Sequence, residues 1–383
     1  MRYFYTLFWI LIIISNSIFS SCGGDSQQHT SECTIDTSNL IKIPNKDIIQ
    51  GMYRYAQYAE SENLFVGYNH FNNSLECIDL ASLKLIKIIP FSKEGPTAMP
   101  DPKSFYYYNK DSIFLLGTYK LALLNDKGEV HFIENINRTG SKLKGLDFSQ
   151  FSIYNDPNNN QPIYFNSNDK KLYFAIKSFG SSHSDAYYQN PLCGRLNLLN
   201  FEIETLPIYY SEEFKKSNVF YPLDKPNILF MDDRIIYSFK NKSDIYEFNI
   251  NTQATTLHKC PSSYTANTVN PLSNNQKGDD VAIMKHLSSN PEYKFIRFDP
   301  YAKLYYRFHF GPYPYLDEPN AIGKRGYLYL SFIDTTFKVQ HEEQLSLNYR
   351  YFGTTPTPLG LLIKAKDQDE MYNTYTAFKY ICN

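Results

Sequence analysis

Tryptophan occurs once in 383 residues, as Trp9, and no excess of charge of either sign is present: 38 Lys and Arg stand against 39 Asp and Glu. Near-neutrality, with no basic runs, excludes the electrostatic footprint of a nucleic-acid binder. Cysteine is scarce, six residues without a C-x-x-C pair, so the usual zinc and dithiol signatures are missing. There is no G-x-S-x-G elbow, H-E-x-x-H helix, Walker loop or dinucleotide fingerprint. The sequence therefore names no catalytic residue, no metal site and no cofactor. Beyond the first 21 residues there is no long apolar run, and no long segment of helical period.

What is present begins with an export signal. Residues 1–21 read MRYFYTLFWILIIISNSIFSS: one basic residue, Arg2, an uncharged stretch from Tyr3 to Ile14, then small polar residues. That is the layout of a secretory signal. The apolar run is too short for a transmembrane helix, which needs about 20 apolar residues. Ile18-Phe19-Ser20-Ser21-Cys22 resembles a bacterial lipobox, with Phe19 where leucine is usual. Cys22 is accordingly expected to carry lipid and to become the N-terminus; the alternative is cleavage elsewhere with Cys22 a bystander. Residues 22–38 then form a tether, and residues 39–383 the folded domain. The expected location is the cell envelope, lipid-anchored, in the outer membrane, with the membrane face undecided.

Removing the signal leaves 362 residues, enough for a sizeable core, rich in the strand-favouring aromatics Tyr (34 in the whole chain) and Phe (28). A unit recurs along it: strand, polar turn, strand ending in Asp or Asn, tight turn, strand. Copies run Leu64–Phe91, Ser112–Ile136, Leu172–Tyr210 with an insertion, Arg234–Cys260 and Val281–Phe310. A less regular sixth starts at Gly326 and ends with LGLLIKA and TYTAFKYIC. Asp79, Asn125, Asn200, Asn249 and Asp299 stand at or near the tight turns, where their side chains can bond the backbone two residues on. The first strands lie 49, 59, 63, 46 and 47 residues apart. Such a period predicts an all-β fold, a β-propeller of six blades, with one inner strand added before each unit. A segment within Ile41–Tyr58 is expected to close the last blade; a β-sandwich is the other candidate.

LFVGYNHFNNSLECIDLASLKLIKIIPFSKEGP, KDSIFLLGTYKLALLNDKGEV, and the closing LGLLIKA and TYTAFKY resemble a family of Bacteroidetes lipoproteins. That family is known only as a domain of unknown function (number 4221) and is related to six-bladed propeller proteins. The resemblance implies an envelope lipoprotein with a propeller domain, and it carries no catalytic residue to transfer.

Candidate functional residues are few. The insertion Ser178–Gly194 is the longest interruption of a unit, and long propeller loops often carry recognition. Ser181, Ser182, His183, Asp185, Tyr187 and Tyr188 are its candidate binding residues. DPNNNQ (Asp156–Gln161) and NSNDKK (Asn166–Lys171) are oxygen-rich but lack the calcium-loop pattern, and are read as turns. Cys33, Cys77, Cys193, Cys260 and Cys382 are read as buried thiols, although ring closure would bring Cys33 and Cys382 together and export would permit a disulfide. The favoured function is a binding or scaffolding protein for a peptide, glycan or protein partner, held at the membrane by its lipid. The alternative is a propeller hydrolase or lyase, for which His183, Asp185, His286 and Glu342 would converge at the axis. A purely structural envelope component is a third reading.

Overall fold

In the computed structural model, the described residues are 33–382, except 45–52, 54, 137–142, 155–162, 180–184, 215–219, 221, 277, 319–320, 347 and 367–370. The signal segment, Cys22, Ser181, Ser182, His183 and Asp156–Gln161 lie outside them. The chain divides into two units, Met1–Thr34 with Cys382–Asn383, and Ile35–Ile381. In the first, Cys33 and Cys382 are joined by a disulfide, Cα to Cα 4.1 Å. The reading of all five cysteines as thiols is corrected there, and holds for the buried Cys77, Cys193 and Cys260.

The second unit is a six-bladed propeller. Its strands are taken blade by blade after β1 (Cys33–Pro44). Blade 1 is β2 (Ala56–Ala59), β3 (Leu64–Asn69), β4 (Ser74–Asp79) and β5 (Lys84–Pro90). Blade 2 is β6 (Ser104–Asn109), β7 (Ser112–Leu116), β8 (Lys120–Leu124) and β9 (Val130–Asn135). In blade 3, β10 (Phe151–Ile153) and β11 (Ile163–Asn166) both pair with β12 (Lys171–Ser178), followed by β13 (Cys193–Asn197) and β14 (Glu202–Thr205). Blade 4 is β15 (Pro226–Phe230), β16 (Arg234–Phe239), β17 (Ile245–Asn249) and β18 (Thr255–His258). Blade 5 is β19 (Glu292–Asp299), β20 (Leu304–Phe310), β21 (Leu328–Ile333) and β22 (Val339–Leu345). Blade 6 is β23 (Tyr349–Thr357), β24 (Gly360–Ala365) and β25 (Tyr372–Cys382), with β1 beside β25 as its outer strand.

Ring closure is visible in the packing. Six apolar clusters each join two neighbouring blades, and the sixth sets Ile41 and Ile43 of β1 and Leu362 of β24 against Phe65 and Ile78 of blade 1. A lone four-stranded sheet leaves both faces wet; stacking around an axis buries them and leaves short edges. Burial follows that logic, since β3 and β21 are buried at every position while β5 alternates toward solvent.

The tight turns are built as expected. Asp79 accepts from the amides of Ala81 and Ser82, Asn249 from Asn251 and Thr252, and Asn125 from Lys127. In the first two turns the chain then reverses through a left-handed residue, Leu83 or Gln253. Between β13 and β14 it is Asn197 that opens the turn, accepting from Leu199, while Asn200 sits inside it.

Two expectations need correction. The closing strand starts at Cys33 within the assumed tether, whereas the other end of Ile41–Tyr58 supplies β2, the inner strand of blade 1. Val281–Leu287, expected as a strand, lies in a helix, Asp280–Ser289. Asp279 caps it by accepting from Val281 and Ala282, and Ile283 and Leu287, four apart, are its buried apolar residues. Blade 5 therefore starts at Glu292, Asp299 ends its inner strand, and Leu328–Ile333 is its third strand rather than the start of a sixth unit. The count of six survives because β23 to β25, with β1, make the last blade.

An antiparallel meander puts alternate connections at opposite ends of the ring. The turns following inner and third strands are short and mark a turn end. The other connections, including 179–192, 259–291 and 311–327, mark a loop end.

Candidate functional site

Along the axis, residues from five blades surround a cavity of about 230 Å³. β2 contributes Ala56, Gln57 and Tyr58; β6, Phe105 and Tyr106; β15, Leu229; β19 and β20, Arg297, Phe298 and Tyr306; β23, Thr354, Thr355 and Pro356. Glu60, Pro300 and Tyr301, from the turns after β2 and β19, place its border at the turn end. Tyr58 and Tyr301 meet edge to face there, centroids 5.9 Å apart.

Most polar groups in this wall are engaged in holding it. Gln57 clamps blade 1 to blade 2, donating to the Tyr107 carbonyl and accepting from the Tyr107 amide at 2.8 and 2.9 Å. Thr354 Oγ1 donates to the Tyr351 carbonyl, and Thr355 Oγ1 to that of Ala56. Arg297 and Tyr306 stand side by side in it. They are register partners across β19 and β20, so their side chains rise from one face as neighbours. Arg297 is 6% exposed, and its guanidinium lies 4.8 Å from the Phe295 ring and donates to the Ile296 carbonyl at 2.9 Å. Burial pulls its pKa down to about 10, with nearby Tyr306 opposing. Tyr306 is 1% exposed, and its hydroxyl has no hydrogen-bond partner among the described residues. Burial also raises that phenol, which stays protonated and able to donate. The cavity lining therefore combines aromatic rings, the buried Arg297 and Tyr306, and the acid Glu60 at its border.

The insertion follows another course. The backbone of Asp185 opens a short helix, Asp185–Tyr188. Tyr188 is not an open binding residue: it is buried against Phe214 and Tyr210, and its hydroxyl donates to Asp224 Oδ2 at 3.1 Å. Tyr187, half-buried, packs on Tyr188 and Tyr210. Both rings follow from the local chemistry, since a large aromatic beside an apolar cluster is stabilised by burial and its hydroxyl finds a partner.

His286 and Glu342 do not meet at the axis. His286 is half-buried on its helix beside Asn290, 3.2 Å away. Glu342, on β22, accepts from Ser331 at 2.7 Å, from the Ser263 amide at 2.7 Å and from Ser262 at 3.1 Å. Ser262 also lies 3.2 Å from Nε2 of the buried His309, so serine, histidine and glutamate adjoin. Their geometry is not that of a triad, where the carboxylate stands behind the other ring nitrogen. Glu342 is 3.8 Å from the same Nε2, and Nδ1 has no hydrogen-bond partner among the described residues. Burial, then Arg307, pull this imidazole down to about 3. It is a neutral, sealed part of the blade 5 core.

Sequence reasoning missed Arg297 and Tyr306. The available signal was a charge inside the aromatic run EYKFIRFD, on a strand otherwise fit for burial. It missed a second charged group as well: Glu292, at the loop end of β19, is ion-paired with Lys240, Lys294 and Arg325.

Among known proteins, the profile of a family described as a domain of unknown function, DUF4221, matches residues 32–344. A member of that family from Bacteroides vulgatus superposes with a TM-score of 0.76 at 18% identity, over 92% of this chain and all of that one. A Bacteroides fragilis protein, by description exported, superposes with a TM-score of 0.56 at 12% identity, over 93% of this chain and 96% of that one. No curated protein matches.

Proposed function

The chain belongs to the DUF4221 family, whose profile spans residues 32–344, and from that premise we propose an exported, envelope-anchored propeller that binds a small ligand in its axial cavity. One observation carries the binding role. Five blades build a cavity lined by the aromatic rings of Tyr58, Phe105, Tyr106, Phe298 and Tyr301 together with the buried Arg297 and Tyr306. Ligand sites take this form: mostly apolar, concave, with a few placed polar groups. The anchored placement is supported by the signal layout before Cys22, by the likeness to an exported Bacteroides protein, and by the disulfide, which suits an oxidising compartment.

Two measurements test this. Ligand-observed NMR with a panel of monosaccharides, amino acids and dipeptides is expected to find binders whose signal is lost in the cavity-filling variant Ala56→Phe, with the far-UV spectrum unchanged. Binding that survives the filled cavity contradicts the site. For the anchor, Cys22→Ala is expected to abolish fatty-acid labelling and to move the protein from the membrane to the soluble fraction. Retained labelling would refute lipidation at that residue.

A further inference from the structure

The groups left free in the cavity lining restrict its ligand. Taking the cavity as the binding site, as above, we infer that it receives an uncharged sugar ring, whose C–H face packs on Tyr58 and Tyr301 and whose hydroxyls donate to Glu60.

Four observations lead there. Glu60 and Arg297 are the charged residues of the described lining, so it is already balanced, and an ion of either sign would leave a charge over. Arg297 is also committed within the protein: it is 6% exposed, its guanidinium lies over the Phe295 ring, and it donates to the Ile296 carbonyl. Glu60 is the opposite case. It is exposed at the turn end, and its carboxylate makes no hydrogen bond or ion pair among the described residues. Burial and then Glu60 raise the phenols of Tyr58 and Tyr301, which sets this free carboxylate near both hydroxyls. Tyr301 itself is 36% exposed, and its hydroxyl makes no hydrogen bond among the described residues. A free carboxylate beside open tyrosine rings matches a neutral polyol ring. The hydroxyls form charge-assisted bonds to the acid, and the apolar C–H face packs on the aromatic surface. An amino acid or peptide end suits the site less, because its carboxylate would meet Glu60 while Arg297 is engaged elsewhere. A purely aromatic ligand would leave Glu60 unused. Finally, about 230 Å³ accommodates a single sugar ring and not a chain segment.

The test compares the neutral, uronate and amino-sugar forms of D-glucose, D-galactose and D-mannose by ligand-observed NMR titration of the mature protein at neutral pH. At least one neutral sugar is expected to bind, with its uronate weaker by about ten-fold because two carboxylates then meet. Its amino form should bind no more tightly than the neutral one. Glu60→Gln should weaken the neutral sugar several-fold and shrink the penalty on the uronate. Tyr301→Ala should weaken it by about ten-fold, whereas Tyr301→Phe, which keeps the ring, should cost far less. Both side chains are exposed, so these variants leave the core intact. Tighter binding of the uronate or the amino sugar than of the neutral form in every series overturns the inference. So does neutral-sugar binding indifferent to either Glu60→Gln or Tyr301→Ala. If no sugar binds but p-cresol does, and Ala56→Phe abolishes that binding, the cavity stands as a site and only the sugar falls. If no sugar binds and the wider panel is also silent, both fall.

Discussion

Buried ionisable groups decide most of the behaviour that single substitutions will reveal. Asp224 accepts from Tyr188 on one oxygen, and its Oδ1 has no hydrogen-bond partner among the described residues. Burial raises its pKa, against the opposing pull of Tyr188, Lys225 and Lys240. A raised acid favours folding below its unfolded pKa, and that contribution is lost as pH rises through the folded value. Asp224→Asn, which keeps an acceptor for Tyr188, should match the wild type in acid and become the more stable protein as pH rises, in urea titrations at several pH values. A gap of opposite sign would refute this. Glu292 behaves inversely: burial pushes it up, but Lys294, Lys240 and Arg325 together bring it to about 2. Its contribution is present above the unfolded value near 4.5 and fades as pH falls toward 2. Glu292→Gln leaves Lys240, Lys294 and Arg325 without their carboxylate, at an expected cost of about 3–5 kcal/mol at neutral pH. The same titrations should show that cost shrinking below pH 4.5. Of these residues, none was legible in the sequence as a site. Lysine, aspartate and arginine in short strands look like solvated positions until a neighbouring blade covers them.

At the level of single elements, the turns were readable because their chemistry is local. Asp or Asn at the end of a strand bonds amides two and three residues on, whatever packs above it. The helix Asp280–Ser289 was misread because a short apolar run such as Val281–Met284 has no period of its own, and the capping by Asp279 outweighs strand propensity. Gly67, in the middle of β3, marks a different constraint. A Cβ there would stand 2.5 Å from the Tyr53 ring, whose hydroxyl donates to the buried Glu76. Gly67→Ala is expected to destabilise the protein by about 1–3 kcal/mol, measured as a lowered midpoint in guanidinium. The double variant with Tyr53→Ala should recover the steric part of that loss. Failure to recover any would show that the tyrosine ring is not what the glycine accommodates.

Across the whole molecule, closure carries the consequences. Blade 6 borrows β1, so the ring is completed by residues far from their partners in the chain, as with Ile41 and Tyr375, which lie 334 positions apart and share one cluster. Bringing such distant segments together costs loop entropy, and a cross-link near the two ends removes much of it from the unfolded state. Cys33→Ser, or reduction with a thiol, is expected to lower stability by about 2–5 kcal/mol and to speed amide exchange in β1 before any other strand. Exchange that is uniform across the blades would remove the disulfide from that role. Which residues face the axis also belongs to this scale. Arg297 and Tyr306 share a face by strand register alone, but they line one cavity with Tyr58 and Thr355 because blades 1, 5 and 6 meet at one axis.

The strand-and-turn grammar, the six-fold repetition and hence the propeller were written along the chain, as was the family resemblance that the profile match bears out. These follow from local hydrogen bonding and from alternation along short segments. Where blade 5 begins, that Cys33 meets Cys382, that Tyr188 is an anchor, and that Arg297 and Tyr306 line an axial cavity were settled by the packing. Those depend on burial by residues distant in the chain. Desolvation, unlike turn chemistry, is a property of the neighbours and not of the residue.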